Sequence, residues 1–168
     1  MEKRNKKKLV YCLVLAVLVS ITMVAVKKIL LYKQYQYPNE SFFGKELYSE
    51  ITHTSSSYEK EIGMMIKTKI EEIAGCQGTE EDIPNMEDTD ALEDFYYFTV
   101  KDAKTQEIKL KLITCIINGN EGHVWLDYSL VRYGENGKIV NSSNDILLLC
   151  YIEKQWGEWK VVQTKEAP

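Results

Sequence analysis

Arginine, histidine and glycine are scarce in this chain, and each shortage removes a class of function. Arg4 and Arg132 carry the only guanidinium groups although lysine is plentiful, a bias expected of an AT-rich bacterial genome. His53 and His123 are the only histidines, far apart and without a Cys or His at ligand spacing, so no metal site is implied. With 9 glycines and no P-loop, GxSxG, HExxH or GxGxxG pattern, the sequence offers neither a phosphate cradle nor a familiar nucleophile motif, and no cofactor is expected. Internal repeats and low-complexity tracts are also missing.

What is present describes a folded chain with a membrane address. Apolar residues make up 45% and charged residues 27% of the 168, ordinary globular usage that argues against disorder. That length, less a membrane segment, leaves one domain with one core. The net charge of −4 hides an asymmetry: Met1–Lys28 holds seven bases and one acid, while Ile29–Pro168 holds 14 bases against 24 acids. A domain so acidic repels phosphates, so nucleic acid is not an expected partner.

Leu9–Val26 runs eighteen residues without a charge, enough helix to span about 27 Å of hydrocarbon. Lys3, Arg4, Lys6, Lys7 and Lys8 precede it, and Lys27 and Lys28 follow it. The positive-inside bias keeps the N-terminus cytoplasmic and puts the C-terminal domain outside the cytoplasm. A cleaved signal peptide shares the basic start, but its apolar core is shorter and ends in small residues, whereas this run ends in two lysines. Tyr11 stands where a lipoprotein signal needs a small residue, so Cys12 reads as a small hydrophobe. The expected organisation is therefore a basic tail and anchor over 1–33, a linker over 34–48 containing Pro38 and Gly44, and an extracytoplasmic domain over 49–168.

Within the domain, Ser56 and Glu59 have capping-box spacing, and Tyr58, Ile62, Met65, Ile66, Ile70 and Ile73 form one helical stripe ending near Gly75. Cys76–Glu93 is acidic, with seven Asp or Glu from Glu80 onward, and reads as a solvated connection because it lacks EF-hand spacing. The period then changes to two. Phe95–Val100, Glu107–Ile117, His123–Tyr133, Asp145–Glu153 and Trp159–Thr164 read as strands, with Asp145–Glu153 apolar on both faces like a central strand. Gly134–Gly137, with its Asn-Gly pair, reads as a hairpin of the primed type. The fold class is α+β: an N-terminal transmembrane helix, then a curved, mostly antiparallel sheet wrapping a helix.

The helix over Ser57–Ala74, the long strands Ile108–Ile117, His123–Tyr133 and Asp145–Glu153, and the ending Gly157–Val162 (GEWKVV) together resemble the NTF2-like superfamily of cone-shaped α+β domains. The resemblance covers roughly Ser41–Lys165, and departs from the superfamily in that only Ile83–Leu92 could supply a further helix before the long strands. It implies a conical cavity between helix and sheet. Some members bind or isomerise small molecules there, whereas others have no open pocket and act as interaction domains. A membrane helix followed by such a domain also looks like assembly components of bacterial type IV secretion and conjugation systems. Fold alone does not choose among these.

The residues point to two readings. A ligand-binding or catalytic cone would draw on Asp127, Tyr128, Tyr151 and Met65, with Asp145 and His123 as further polar candidates, but no pair has a spacing that specifies a role. Tyr128 and Tyr151 fit core packing with bonded hydroxyls, and Asp127 falls on the outward parity. An interaction domain would use Trp125, Tyr133, Trp156 and Trp159 near the hairpin ends, although core filling is the plainer role for any aromatic. We therefore expect a non-enzymatic membrane-anchored domain that meets a protein partner in an envelope or secretion assembly, with self-association left open. Cys115 and Cys150 fall on apolar strands that could lie side by side, so a bridge is open to them, but buried free thiols are the plainer reading, while Cys76 is expected to be accessible.

Overall fold

The computed structural model describes residues 2–76, 91–96 and 99–167, with side chains described except at 2–13 and 34–38. Helix α1 (Glu2–Phe43) is one continuous rod, followed by the short α2 (Lys45–Ser49), a 3-10 turn (Glu50–Thr52) and α3 (Ser57–Gly75). Four strands complete the chain: β1 (Thr105–Asn118), β2 (Glu121–Tyr133), β3 (Ile139–Gln155) and β4 (Glu158–Glu166). They form one antiparallel sheet in the order β1-β2-β3-β4. An apolar N-terminal helix followed by a curved antiparallel sheet with helices is the α+β class expected.

Within α1, Val14–Lys33 is long and apolar enough to cross a membrane, and its side chains are almost wholly uncovered by the rest of the chain. The segment expected to be a linker is helical as far as Phe43. Gly44, at φ +88°, breaks the rod, a backbone angle that costs glycine little. Tertiary docking overrides the linker composition: Phe43, Tyr48 and Ile51 are buried against the sheet, and the Tyr48 hydroxyl donates to the Tyr32 carbonyl at 2.9 Å.

Helix α3 starts at the capping box seen in the sequence. Glu59 N–H donates to Ser56 Oγ at 3.2 Å, and Ser56 N–H donates to Glu59 Oε2 at 2.7 Å. The same carboxylate accepts from Ile117 N–H of β1 at 3.2 Å, so the cap also ties the helix to the sheet. Burial pushes the Glu59 carboxyl upward, but hydrogen bonds from Ser56, Ile117 and His53 outweigh it and hold the group down to about 2. A depressed carboxyl contributes stability above its unfolded value of 4.5 that is lost as pH falls toward about 2. Acid titration by circular dichroism should show this component disappearing between those limits, and Glu59→Gln should flatten it.

Ile62, Ile66, Ile70 and Ile73 face the sheet, each worth roughly 1.5–3 kcal/mol of burial. Tyr58 and Met65 leave the expected stripe, being 50% and 44% exposed, because the helix rests on its isoleucine edge. Gly63 sits at the closest approach: a Cβ there would meet the Leu112 methyls at 3.0 Å and Cys115 Cβ at 3.1 Å.

The sheet carries a core on each face. Val124, Leu126, Leu130, Leu148, Cys150 and Ile152 meet α3 on the inner face, and Trp125, Leu147 and Leu149 meet Phe43, Tyr48 and Ile51 on the outer face. The two-sided apolar pattern of Asp145–Glu153 follows from this double cover. Phe95–Val100 is not a strand in its described residues: Glu93–Phe95 is a 3-10 turn, and Phe95 and Tyr96 are buried anchors in the inner core. Isolated core aromatics have strand-like composition without strand pairing. Ala91 and Leu92 form a turn, and the rest of the expected helix Ile83–Leu92, like most of the acidic connection, lies outside the described residues. At the β2–β3 hairpin only Gly137 has positive φ, +69°, so the turn is not of the primed type expected.

Register settles the cysteines. Cys115 pairs with Val124 and Val124 with Cys150, which puts the thiols two strand spacings apart, about 9.5 Å and beyond disulfide reach. Both are fully buried, and burial pushes each thiol up to about 12. In the folded domain maleimide should label half-buried Cys76 quickly and the other two only on unfolding, read by intact mass. Rapid labelling at Cys115 or Cys150 would contradict the register.

Candidate functional site

The inner face carries a polar cluster at the end nearest residues 91–96. Parity along β2 brings Tyr128, Leu130 and Arg132 to the same side, so a guanidinium enters an apolar cone. The Tyr128 hydroxyl donates to the Glu166 carboxylate on β4, and its ring meets Phe95 edge-on at 5.6 Å. Arg132 Nε donates to Gln106 Oε1 at 3.0 Å and its Nη2 to the Asp94 carbonyl. The Gln106 amide donates to the Ala74 carbonyl at 2.8 Å and to the Phe95 carbonyl, while Thr164 Oγ1 donates to the Ala91 carbonyl at 3.2 Å.

Side chains from three strands thus hold the backbone of Ala91–Phe95 across the cone. Burial raises the Tyr128 phenol, with the Glu166 hydrogen bond adding to the shift, so the group stays protonated. Burial also lowers Arg132, an effect opposed by Tyr128, Asp94 and Glu166. Among the described residues no buried side-chain nitrogen or oxygen lacks a partner. The cluster satisfies itself and grips a turn, which is a structural task.

The expected pocket residues do not converge. Tyr128 alone points into the cone. Asp127 lies half-buried on the outward parity, and Tyr151 packs in the outer core against the His123 ring at 5.0 Å. Met65 is exposed on α3, and Asp145 is exposed at a bulge opposite Ser129, whose hydroxyl accepts its N–H at 3.1 Å. Arg132, Gln106, Glu166 and Glu50 went unnoticed in the sequence. The available signal was parity, since Arg132 continues the inward series of Leu126, Tyr128 and Leu130.

The four aromatic candidates separate sharply. Trp125 is fully buried, stacked edge-on with Phe43 at 4.9 Å, and its indole N–H donates to Glu50 Oε2 at 3.0 Å. His123 Nδ1 sits 2.9 Å from the same oxygen, so Glu50 fastens the 3-10 turn to β2. Trp125 is therefore a docking-joint residue of the fold and has no free surface to offer. Trp159 is 6% exposed in the inner core, and Tyr133 is half-buried. Trp156 is the opposite case, 100% exposed at the tip between β3 and β4.

That tip is a two-residue turn in which Trp156 and Gly157 have φ of +56° and +93°. Both residues at positive φ is the primed geometry, where Asn, Asp and Gly are favoured. A bulky side chain there is an outlier that costs roughly 1–2 kcal/mol, and the indole recovers nothing from burial. The fold gains nothing from tryptophan at this position.

No family model and no curated protein matches the sequence. Among solved structures, the association domain of C. elegans CaMKII aligns over 66% of this chain and 96% of its own length, at 12% identity and a TM-score of 0.43.

Proposed function

We propose that this protein is a non-enzymatic, membrane-anchored domain that works by protein–protein contact, with Trp156 as the anchor of the contact surface. The carrying observation is the indole held fully in solvent on a strained turn. Exposed tryptophan is enriched at interface hot spots, and a residue costly to the free chain is repaid when a partner covers it. The self-satisfied cone supports the same reading, because a catalytic or ligand-binding site needs convergent polar groups with free valences.

The anchor is the apolar part of α1. Its flanking charges favour a cytoplasmic N-terminus and an extracytoplasmic domain, a placement suited to an envelope or secretion assembly. The helix enters the domain without a break, so Trp156 is presented on a mount fixed to the membrane.

Trp156→Asn tests the proposal. Asparagine tolerates positive φ, so thermal stability should hold or rise by about 1 kcal/mol. The sedimentation mass of the complex extracted in mild detergent from native membranes should meanwhile fall to that of the lone chain. A destabilised variant, or one whose complex keeps its mass, would overturn the assignment.

A further inference from the structure

Two cavities flank α1 where the apolar span ends. One, of about 590 Å³, lies between Met23, Val26, Lys27 and Leu30 of α1 and Lys111–Ile113 of β1. The other, of about 540 Å³, lies between Val24, Lys27 and Lys28 of α1, the loop Ile51–Ser55, and Lys60 and Met64 of α3. They share Lys27, Leu31, Leu112 and Ile113, so together they form a collar along residues 22–31 of the helix.

The chemistry of that collar is lopsided. Among the described residues no acidic side chain lines either cavity, in a domain that carries a net excess of acid. Lys27, Lys28, Lys60 and Lys111 come from three separate elements, and among the described residues none of their ammonium groups makes an ion pair or hydrogen bond. On the α1 side Met23, Val24, Val26 and Leu30 make an apolar wall that continues into the span, while Thr52, His53, Thr54 and Ser55 make the domain side of the second cavity polar. A ligand that fits must present anionic oxygen at the level of the lysines and hydrocarbon toward the bilayer.

We propose that this collar binds anionic phospholipid, a phosphodiester held between Lys27 and Lys111 in the first cavity or among Lys27, Lys28 and Lys60 in the second, with acyl chains running along Met23, Val24 and Val26. The inference rests on the membrane-anchored reading above. Lysines at a membrane surface attract anionic lipid, each strengthening binding by about fivefold. Lipid bound here bridges α1 to β1 and α3 and fixes the tilt of the domain on the membrane.

Full-length protein in neutral detergent, titrated with phosphatidylglycerol or phosphatidylcholine and read by native mass spectrometry, tests the site. Phosphatidylglycerol should be retained at least about tenfold more tightly than phosphatidylcholine. Lys60→Gln/Lys111→Gln, which leaves the flanks of the span intact, should remove most of that preference while the melting temperature without lipid stays unchanged. Lys27→Gln/Lys28→Gln should do the same from the helix side. Equal retention of the two lipids, or a preference untouched in both variants, would overturn the proposal while leaving the anchor intact. Competition by glycerol phosphate as strong as by the whole lipid would assign the collar to a soluble phosphate ester instead. A full-length chain that stays monodisperse without detergent and ignores vesicles would overturn the membrane reading and this proposal with it.

Discussion

Trp125→Ala should cost about 3–5 kcal/mol, a large share of the 5–15 kcal/mol that holds a domain of this size together. The side chain is fully enclosed by Phe43, Leu147 and Leu149, so its removal opens a cavity that a rigid sheet and helix cannot close. The loss also takes away the indole N–H that Glu50 accepts, leaving His123 as the partner of that carboxylate. Trp125→Phe keeps one ring of the packing while removing the hydrogen bond, worth about 1.5–3 kcal/mol, and the rest of the indole, so it should cost less than the alanine change. Urea unfolding of both variants checks the order. A Trp125→Ala protein as stable as its parent would mean that the outer core does not hold α1 to the sheet.

Arg132→Met should cost roughly 1–3 kcal/mol for each acceptor it orphans, because two polar oxygens beside the core are left without their donor. The Asp94 carbonyl and Gln106 Oε1 lose their donor, and Glu166 loses a neighbouring positive charge. The damage should be local before it is global. Hydrogen exchange should show the Phe95 and Tyr96 amides, bonded to Leu92 and Glu93, opening well before those of β2 and β3. Uniform loss of protection across the sheet would contradict a latch on residues 91–96.

These two residues also mark where the sequence was readable and where it was not. Helix α3 was legible because two local signals agree: a capping box at Ser56 and Glu59, and isoleucines at helical spacing. The central position of β3 was legible too, since an apolar run on both parities has to be covered twice. The source of the second cover was not. It comes from Phe43, Tyr48 and Ile51, in a stretch whose Pro38, Gly44 and polar residues have loop composition. Without that cover the odd parity of β2 looks solvent-facing, and Trp125 then looks like a contact residue. Arg132 was overlooked for a related reason: no local signal distinguishes an inward arginine on a strand from an outward one, and only the count of residues from Tyr128 reveals it. Trp156 was visible as a candidate, but the backbone angle that makes it anomalous belongs to the turn geometry.

The interaction reading therefore stands on one side chain, and one measurement addresses it directly. A photoreactive phenylalanine analogue placed at position 156 of the full-length chain, irradiated in native membranes, should give a discrete protein adduct. The same analogue in place of the exposed Glu135, at the hairpin on the opposite end of β3, should give none. Adducts of equal yield at both sites, or none at 156 in membranes where the chain is folded and abundant, would contradict the claim that this tip is where the protein meets its partner.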